Sequence, residues 1–374
     1  MMRIVFITTG DIKDIATSKR ALGMANPLSE LGWKVHIIME DTLENKSRVA
    51  LECDSNIILH YFPKSNSLTE ILIKSRIVKE LNPDFIYLCA FVFRNLAFVG
   101  NIAKLVEHSE LPSGMLANKR LKLLKTLILE YYSIIYADGL LSASRYLETV
   151  FTKRQKRIFK QKQPHLYFPY AFQPEIYKPL HNSINESKKR YEGKFIIVYL
   201  GSMAENYGLF TMLEAMVFLK SEKKNVLLLL VGKGSHYEAG KKYIKDNNLD
   251  DVVEMPGYVD EEIVPEYFEY ADAFISPLND TVQDWARCPS KLYMYLPYKK
   301  PIITCKIGEP YEVLGDGGFY YLSGDSKNLA KTCIETMDND KTATAVDPEL
   351  HTWKTRSIEF DKWIFDKFIF KKNG

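Results

Sequence analysis

Arg287 and Lys291 stand four residues apart around Pro289 and Ser290, ahead of an apolar run at 301–304. A guanidinium offers a planar fork and an ammonium a point charge, so the pair suits a diphosphate. Proline is tolerated in a first helical turn and serine can cap the free amides there. The spacing therefore predicts a short helix opening at Pro289 and Ser290, with an anion site at its start. Two further places have the same character. Gly201 and Ser202 follow one apolar run, and Gly232 and Lys233 follow another; glycine after a strand lets a phosphate approach the backbone. Tyr258 and Val259, after Gly257, are placed to line a slot for a base, or simply to pack. None of these segments is a P-loop, which needs G-x-x-x-x-G-K-[ST]. No G-x-G-x-x-G follows the first apolar run either, which argues against a nicotinamide or flavin dehydrogenase.

The first half of the chain has its own candidates. Glu107-His108-Ser109-Glu110 is its densest cluster of titratable groups. A carboxylate beside a histidine at the end of a buried strand suits proton transfer to or from a hydroxylated substrate. That makes His108 and Glu110 the catalytic candidates, with a solvated polar loop as the plain alternative. Gly10, at the end of the first apolar run, and Lys19 and Arg20, early in the helix that follows, are placed to face a sugar or an acceptor.

Such residues need a frame that brings them to one edge. Apolar runs at 3–8, 34–39, 56–61, 84–89, 104–107, 139–143 and 166–169 alternate with helical stretches, and the pattern restarts at 194–200, 226–231, 252–255, 273–276, 301–304 and 319–322. Continuous apolar strands between helices read as parallel sheets covered on both faces. The fold class expected is α/β, with two doubly wound Rossmann-like domains at 1–170 and 171–350 facing each other across a cleft. A linker rich in Pro, Asn and Lys lies at 168–190. A C-terminal amphipathic helix at 351–374, with Trp353, Phe360, Ile364 and Phe368 near one face, is free to pack on either domain. In open parallel sheets ligands bind at the carboxyl ends of the strands, where most of the residues above fall.

A length of 374 residues fits two cores better than one. A net charge of +3 is too small for a dedicated nucleic-acid binder. The five cysteines lack paired spacing, which suits reduced thiols in a cytoplasmic setting, and no metal cluster is evident. No run is long enough to span a bilayer and no leader is recognisable. Between 115 and 162, however, lysines and arginines interleave with leucines and far outnumber acids. That face reads either as a peripheral contact with an anionic membrane or as a solvated helix whose leucines belong to the core.

In order along the chain, these segments resemble the GT-B glycosyltransferases, specifically the retaining set called group 1 or family 4. Leu31-Gly32-Trp33-Lys34-Val35 is similar to the family's L-x-x-x-G-H-x-V turn, and 136–144 to its aDxiixxS segment. The stretch 167–179 resembles viPnGvDxxxFxP, and Pro289-Ser290-Lys291-Leu292 through Lys300-Pro301-Ile302-Ile303 resembles PxKLxEYLAxGKPVI. The resemblance implies transfer of a sugar from a nucleotide-sugar donor to a hydroxyl of a saccharide or lipid-linked acceptor, in surface polysaccharide or glycolipid assembly, with no cofactor or metal. It implies donor contacts at Gly201, Ser202, Gly232, Lys233, Tyr258, Val259, Arg287, Ser290 and Lys291. At the places of the family's two glutamates, eight apart, stand Ala286 and Met294, and Ser202 and Tyr207 replace two of its donor-site cations. Two other readings stay open: a catalytically silent relative acting as a scaffold subunit, and a sugar-nucleotide epimerase on the same fold.

Overall fold

The computed structural model describes residues 1–12, 18–97, 100–116, 120–160, 162–177, 179, 191–339 and 345–370. Each apolar run forms a strand, with ends shifted by a few residues at most. β1 (Arg3–Ile7), β2 (Lys34–Glu40), β3 (Ile58–Phe62), β4 (Phe85–Leu88), β5 (Ala103–His108), β6 (Gly139–Ser142) and β7 (His165–Tyr167) form a sheet in the order β3-β2-β1-β4-β5-β6-β7. β8 (Phe195–Leu200), β9 (Val226–Val231), β10 (Val253–Gly257), β11 (Ala273–Ser276), β12 (Ile302–Thr304) and β13 (Phe319–Tyr320) form the other, in the order β10-β9-β8-β11-β12-β13. The strand pairs run parallel; Ile4, for example, lies between Val35 and Phe85. Strand order reverses at β1/β4 in the first sheet and at β8/β11 in the second, so the residues after β1 and β8 lie at the switch points.

Helices α1 (Ser18–Glu30), α2 (Leu43–Glu52), α3 (Ser67–Leu81), α4 (Arg120–Tyr136) and α5 (Arg145–Arg157) accompany the first sheet. Thr42, Asn66 and Ser144 cap α2, α3 and α5 by accepting the amides of Asn45, Thr69 and Leu147, which satisfies donors left open at a helix start. In the second domain the helices Leu209–Ser221 and Ser326–Met337 bury apolar faces against one core with β8 and β9.

The chain divides into two compact units. One comprises Met1–Ala171, Ala286–Cys288 and Glu349–Gly374, and the other Phe172–Trp285 and Pro289–Pro348. The C-terminal helix Trp353–Ile364 thus belongs with the first sheet, and complementary shapes explain why. The Trp353 indole lies where α1 carries Gly23: a Cβ there would come within 2.3 Å of its Nε1. Gly139 leaves equivalent room for Trp363, 2.8 Å from a would-be Cβ, and Trp33 Nε1 donates to Asp361 Oδ1 at 2.7 Å. Phe360 and Ile364 complete the core beside Phe6, Tyr87 and Phe168. Of the expected linker, residue 178 and residues 180–190 lie outside the described part.

Candidate functional site

In the second domain the glycines after β8 and β9 nest against each other. Gly201 has φ +149 and Gly232 φ +133, a region open chiefly to glycine. A Cβ on Gly232 would meet the Gly201 carbonyl oxygen at 2.1 Å, and one on Gly234 would meet the Met203 backbone at 2.6 Å. The Gly201 amide donates to Val231 O at 2.9 Å and the Met203 amide to Lys233 O at 3.1 Å, tying the two loops together. The backbone at the end of β8 is therefore bare of side chains and rigidly held.

A cation is aimed at that bare backbone. The Lys291 Nζ lies 2.6 Å from where a Gly201 Cβ would stand, and 3.8 Å from the centroid of the Tyr199 ring. Its helix, Ser290–Tyr295, is fixed one turn later: Tyr295 accepts the Leu200 amide at 2.9 Å and stacks on Phe274 with ring centroids 4.2 Å apart. Residues four apart share a helix face, so Lys291 and Tyr295 together lock this helix onto the end of β8. Burial pushes the Tyr295 phenol well above its ordinary range, which keeps it a neutral hydrogen-bonding group. An ammonium held over a glycine turn at a switch point can neutralise a phosphate laid against the backbone.

Two details of the sequence reading change here. Ser290 does not cap the helix: Pro289 holds the cap position and no side chain accepts a first-turn amide. With only six residues the helix also carries little dipole, so the charge at this site comes from Lys291 itself. Arg287 groups with the first unit and Lys291 with the second.

The other donor candidates fall around the same two loops or just beyond. Ser202 is half-buried, and its carbonyl accepts the Tyr199 hydroxyl at 3.0 Å. Lys233 is exposed, with Nζ 5.8 Å from the centroid of Tyr237. Tyr258 is exposed and Val259 half-buried, next to Gly257, whose carbonyl accepts the Gly232 amide at 2.8 Å. Ala286 and Met294 are both buried.

Sequence reasoning missed two buried carboxylates at this end of the sheet. Glu309, fully buried just after β12, accepts the Tyr293 hydroxyl at 2.9 Å. Asp284 accepts the Asn279 amide at 2.7 Å. Gly308 has φ +54, and a Cβ there would come within 2.9 Å of the Asp284 carbonyl oxygen. The signal was present as a Gly-Glu pair following a strand, but nothing in it tells a buried acid from a solvated one.

In the first domain the candidates separate. Arg20 turns inward, with Nε 2.7 Å from Glu107 and Nη1 donating to Pro169 O at 3.1 Å, under the rings of Phe168 and Trp353. It is a buried core cation and faces no acceptor. Glu107 also accepts the Tyr87 hydroxyl at 2.8 Å; burial raises its carboxyl pKa while Arg20 opposes the rise. Lys19 lies near Arg48 and Glu52, and burial lowers its ammonium pKa. His108 is enclosed too: its ring stacks on Phe151 at 3.7 Å between centroids and Nε2 pairs with Ser133 Oγ at 3.0 Å. Burial holds its pKa well below the ordinary value, which is the state of a neutral packing group. Glu110 is exposed beyond β5. Gly10, at φ +69 after β1, offers its carbonyl to Asn45 Nδ2 at 3.2 Å. Among the described residues no group of three or more His, Cys, Asp or Glu is placed to hold a metal ion, and no helix is long and apolar enough to cross a membrane.

Residues 181–349 match the family described as glycosyl transferases group 1. No curated protein matches the chain in sequence. Solved structures match it along nearly its whole length. HepE of Anabaena, in complex with UDP and glucose, superposes with a TM-score of 0.73 at 16% identity over 97% of this chain and 99% of its own. Sucrose-phosphate synthase of Thermosynechococcus elongatus gives 0.74 at 16% identity over 98% and 99%. The lipopolysaccharide outer core galactosyltransferase WaaB, in its apo form, gives 0.65 at 12% identity over 98% and 100%.

Proposed function

We infer that this chain, a GT-B glycosyltransferase whose second domain belongs to the group 1 family, moves a sugar from a nucleotide-sugar donor to a hydroxyl of a saccharide or lipid-linked acceptor. The observation that carries the reading is the Lys291 ammonium held over the bare backbone of Gly201. There the donor diphosphate is neutralised as it becomes the leaving group, and the charge is stabilised by a group already in place. Lys233, on the neighbouring glycine loop, supplies a second, exposed cation. Tyr258, exposed beyond β10, offers a face for the base. In the first domain the acceptor falls to the loop ends after β1, where Gly10 lies buried at φ +69, and after β5, where Glu110 offers an exposed carboxylate. His108 supports β5 and is not itself assigned the proton transfer.

UDP is the nucleotide favoured, since HepE, similar in fold throughout, is solved with UDP and glucose. Likeness to WaaB, a lipopolysaccharide outer core galactosyltransferase, supports a place in surface polysaccharide or glycolipid assembly. Calorimetry with UDP tests the donor site. Binding is expected, and Lys291→Ala should weaken it ~10- to 100-fold, the cost of one lost charge-assisted contact. Unchanged affinity in that variant removes the basis of the reading.

A second reading, a silent subunit that binds without transfer, draws on Ala286 and Met294, buried apolar residues where the family carries glutamates. Release of UDP from UDP-sugars in the presence of saccharide or lipid acceptors separates the two: UDP binding without any release favours the silent subunit.

A further inference from the structure

α4 is apolar on the side turned away from its domain as well as within it. Its inward face, with Glu130, Ser133 and Ile134, is buried. On the opposite side Leu121, Leu124, Ile128, Tyr132 and Ile135 are 81, 57, 61, 44 and 55% exposed. At roughly 100° per residue these five fall in one stripe about 80° wide. A surface helix ordinarily carries charged residues there, and a contiguous apolar stripe signals something that covers it.

The charge around the stripe says what. Lys122 and Lys125 are exposed on α4 itself. α5 runs alongside, with Arg157 Nη1 reaching the Tyr131 hydroxyl at 3.3 Å, and it exposes Lys153 and Lys156. Phe159, 89% exposed at φ +60, follows directly. The acids between 120 and 160 are already neutralised: Glu130 by Arg154 at 2.7 Å, Asp138 by Lys104 at 2.7 Å and Glu148 by Arg145 at 2.8 Å. A symmetric contact with a second copy would set these cations against each other. An apolar stripe edged by cations instead complements a surface with an apolar interior and anionic edge.

We propose that α4 lies in the interface of an anionic lipid bilayer, its stripe at the boundary of headgroups and acyl chains, with Lys122, Lys125, Lys153 and Lys156 against the lipid phosphates. The inference goes beyond sugar transfer and stands without it.

Flotation of the full chain with vesicles of phosphatidylcholine carrying about 30% phosphatidylglycerol tests it. Association is expected with these vesicles, little with phosphatidylcholine alone, and most should be lost at about 0.5 M salt, where surface charge is screened. The double variant Leu124→Ser, Ile128→Ser should bind ~10-fold less, since two inserted side chains are lost, with its melting temperature and UDP affinity unchanged. Lys122→Glu with Lys125→Glu should weaken binding similarly. Absence of association with the anionic vesicles overturns the proposal, as does equal association of wild type and both variants. A dimer in solution that the serine variant splits would overturn it too, by showing that a second copy covers the stripe.

Discussion

At the scale of single residues, the site rests on two glycines whose surroundings differ. At Gly201 the nearest obstacle to a side chain is the flexible end of Lys291, and at Gly232 it is a backbone carbonyl. Gly201→Ala also meets a disfavoured φ but no backbone clash, so it should cost less stability than Gly232→Ala, and it should lose UDP affinity because Lys291 is pushed aside. Gly232→Ala forces both a backbone clash and a disfavoured φ, and should cost the second domain ~3 kcal/mol or more in a denaturant titration. Equal stability of the two variants would contradict the nested-loop geometry. Both glycines were legible in the sequence as glycines after strands. The partner that makes Gly201 a site was legible in large part: Lys291 stood out as a cation in the first turn of a short helix, and only the Ser290 cap failed. What aims it at Gly201 is the tyrosine one turn later and the aromatic stack beneath it. Arg20 and His108 show the opposite failure. Type and position suggested chemistry, whereas each is enclosed by residues distant in the chain, Trp353 for one and Ser133 and Phe151 for the other.

Among the elements, the strands were the most legible, because a parallel strand covered on both faces is an unbroken apolar run and needs no partner to be recognised. Where the C-terminal helix docks could not be read that way. Its apolar face is plain in the sequence, but the surface it fits is shaped by missing side chains at Gly23 and Gly139, and an absent Cβ reads equally as a turn, a break or a hole. The structure turns this into a specific expectation. Gly23→Leu, on a helix that would otherwise favour the larger residue, should destabilise the first domain by about 3 kcal/mol, because the Trp353 ring occupies the space. Urea unfolding followed by tryptophan fluorescence measures it. A stabilised variant would mean that the indole does not sit against α1.

For the molecule as a whole, buried and half-buried histidines of the first domain link its stability to pH. Burial pushes His36, 3.0 Å from His60, and His165, which bonds Ser142 and Thr152, down to about 4, and holds His108 well below its ordinary value. In the unfolded chain they titrate near 6.5. The unfolded state thus binds more protons between those values, so the stabilisation is complete above about 6.5 and is lost as pH falls toward 4. Melting temperatures should fall from pH 7 to pH 5, and His165→Gln should flatten the slope. A slope unaltered in that variant would place the dependence elsewhere. The docking of Trp353–Ile364 beside β1 reaches further, into how the molecule is made. During synthesis the first 171 residues leave the ribosome without the helix that closes their core, while the second unit has all of its own residues by the time Pro348 appears. Domains ordinarily fold in the order of their synthesis. Here the order is inverted: the unit that is begun first is the last to be sealed, and until Trp353–Ile364 arrives its apolar edge at Gly23 stays open to misassociation.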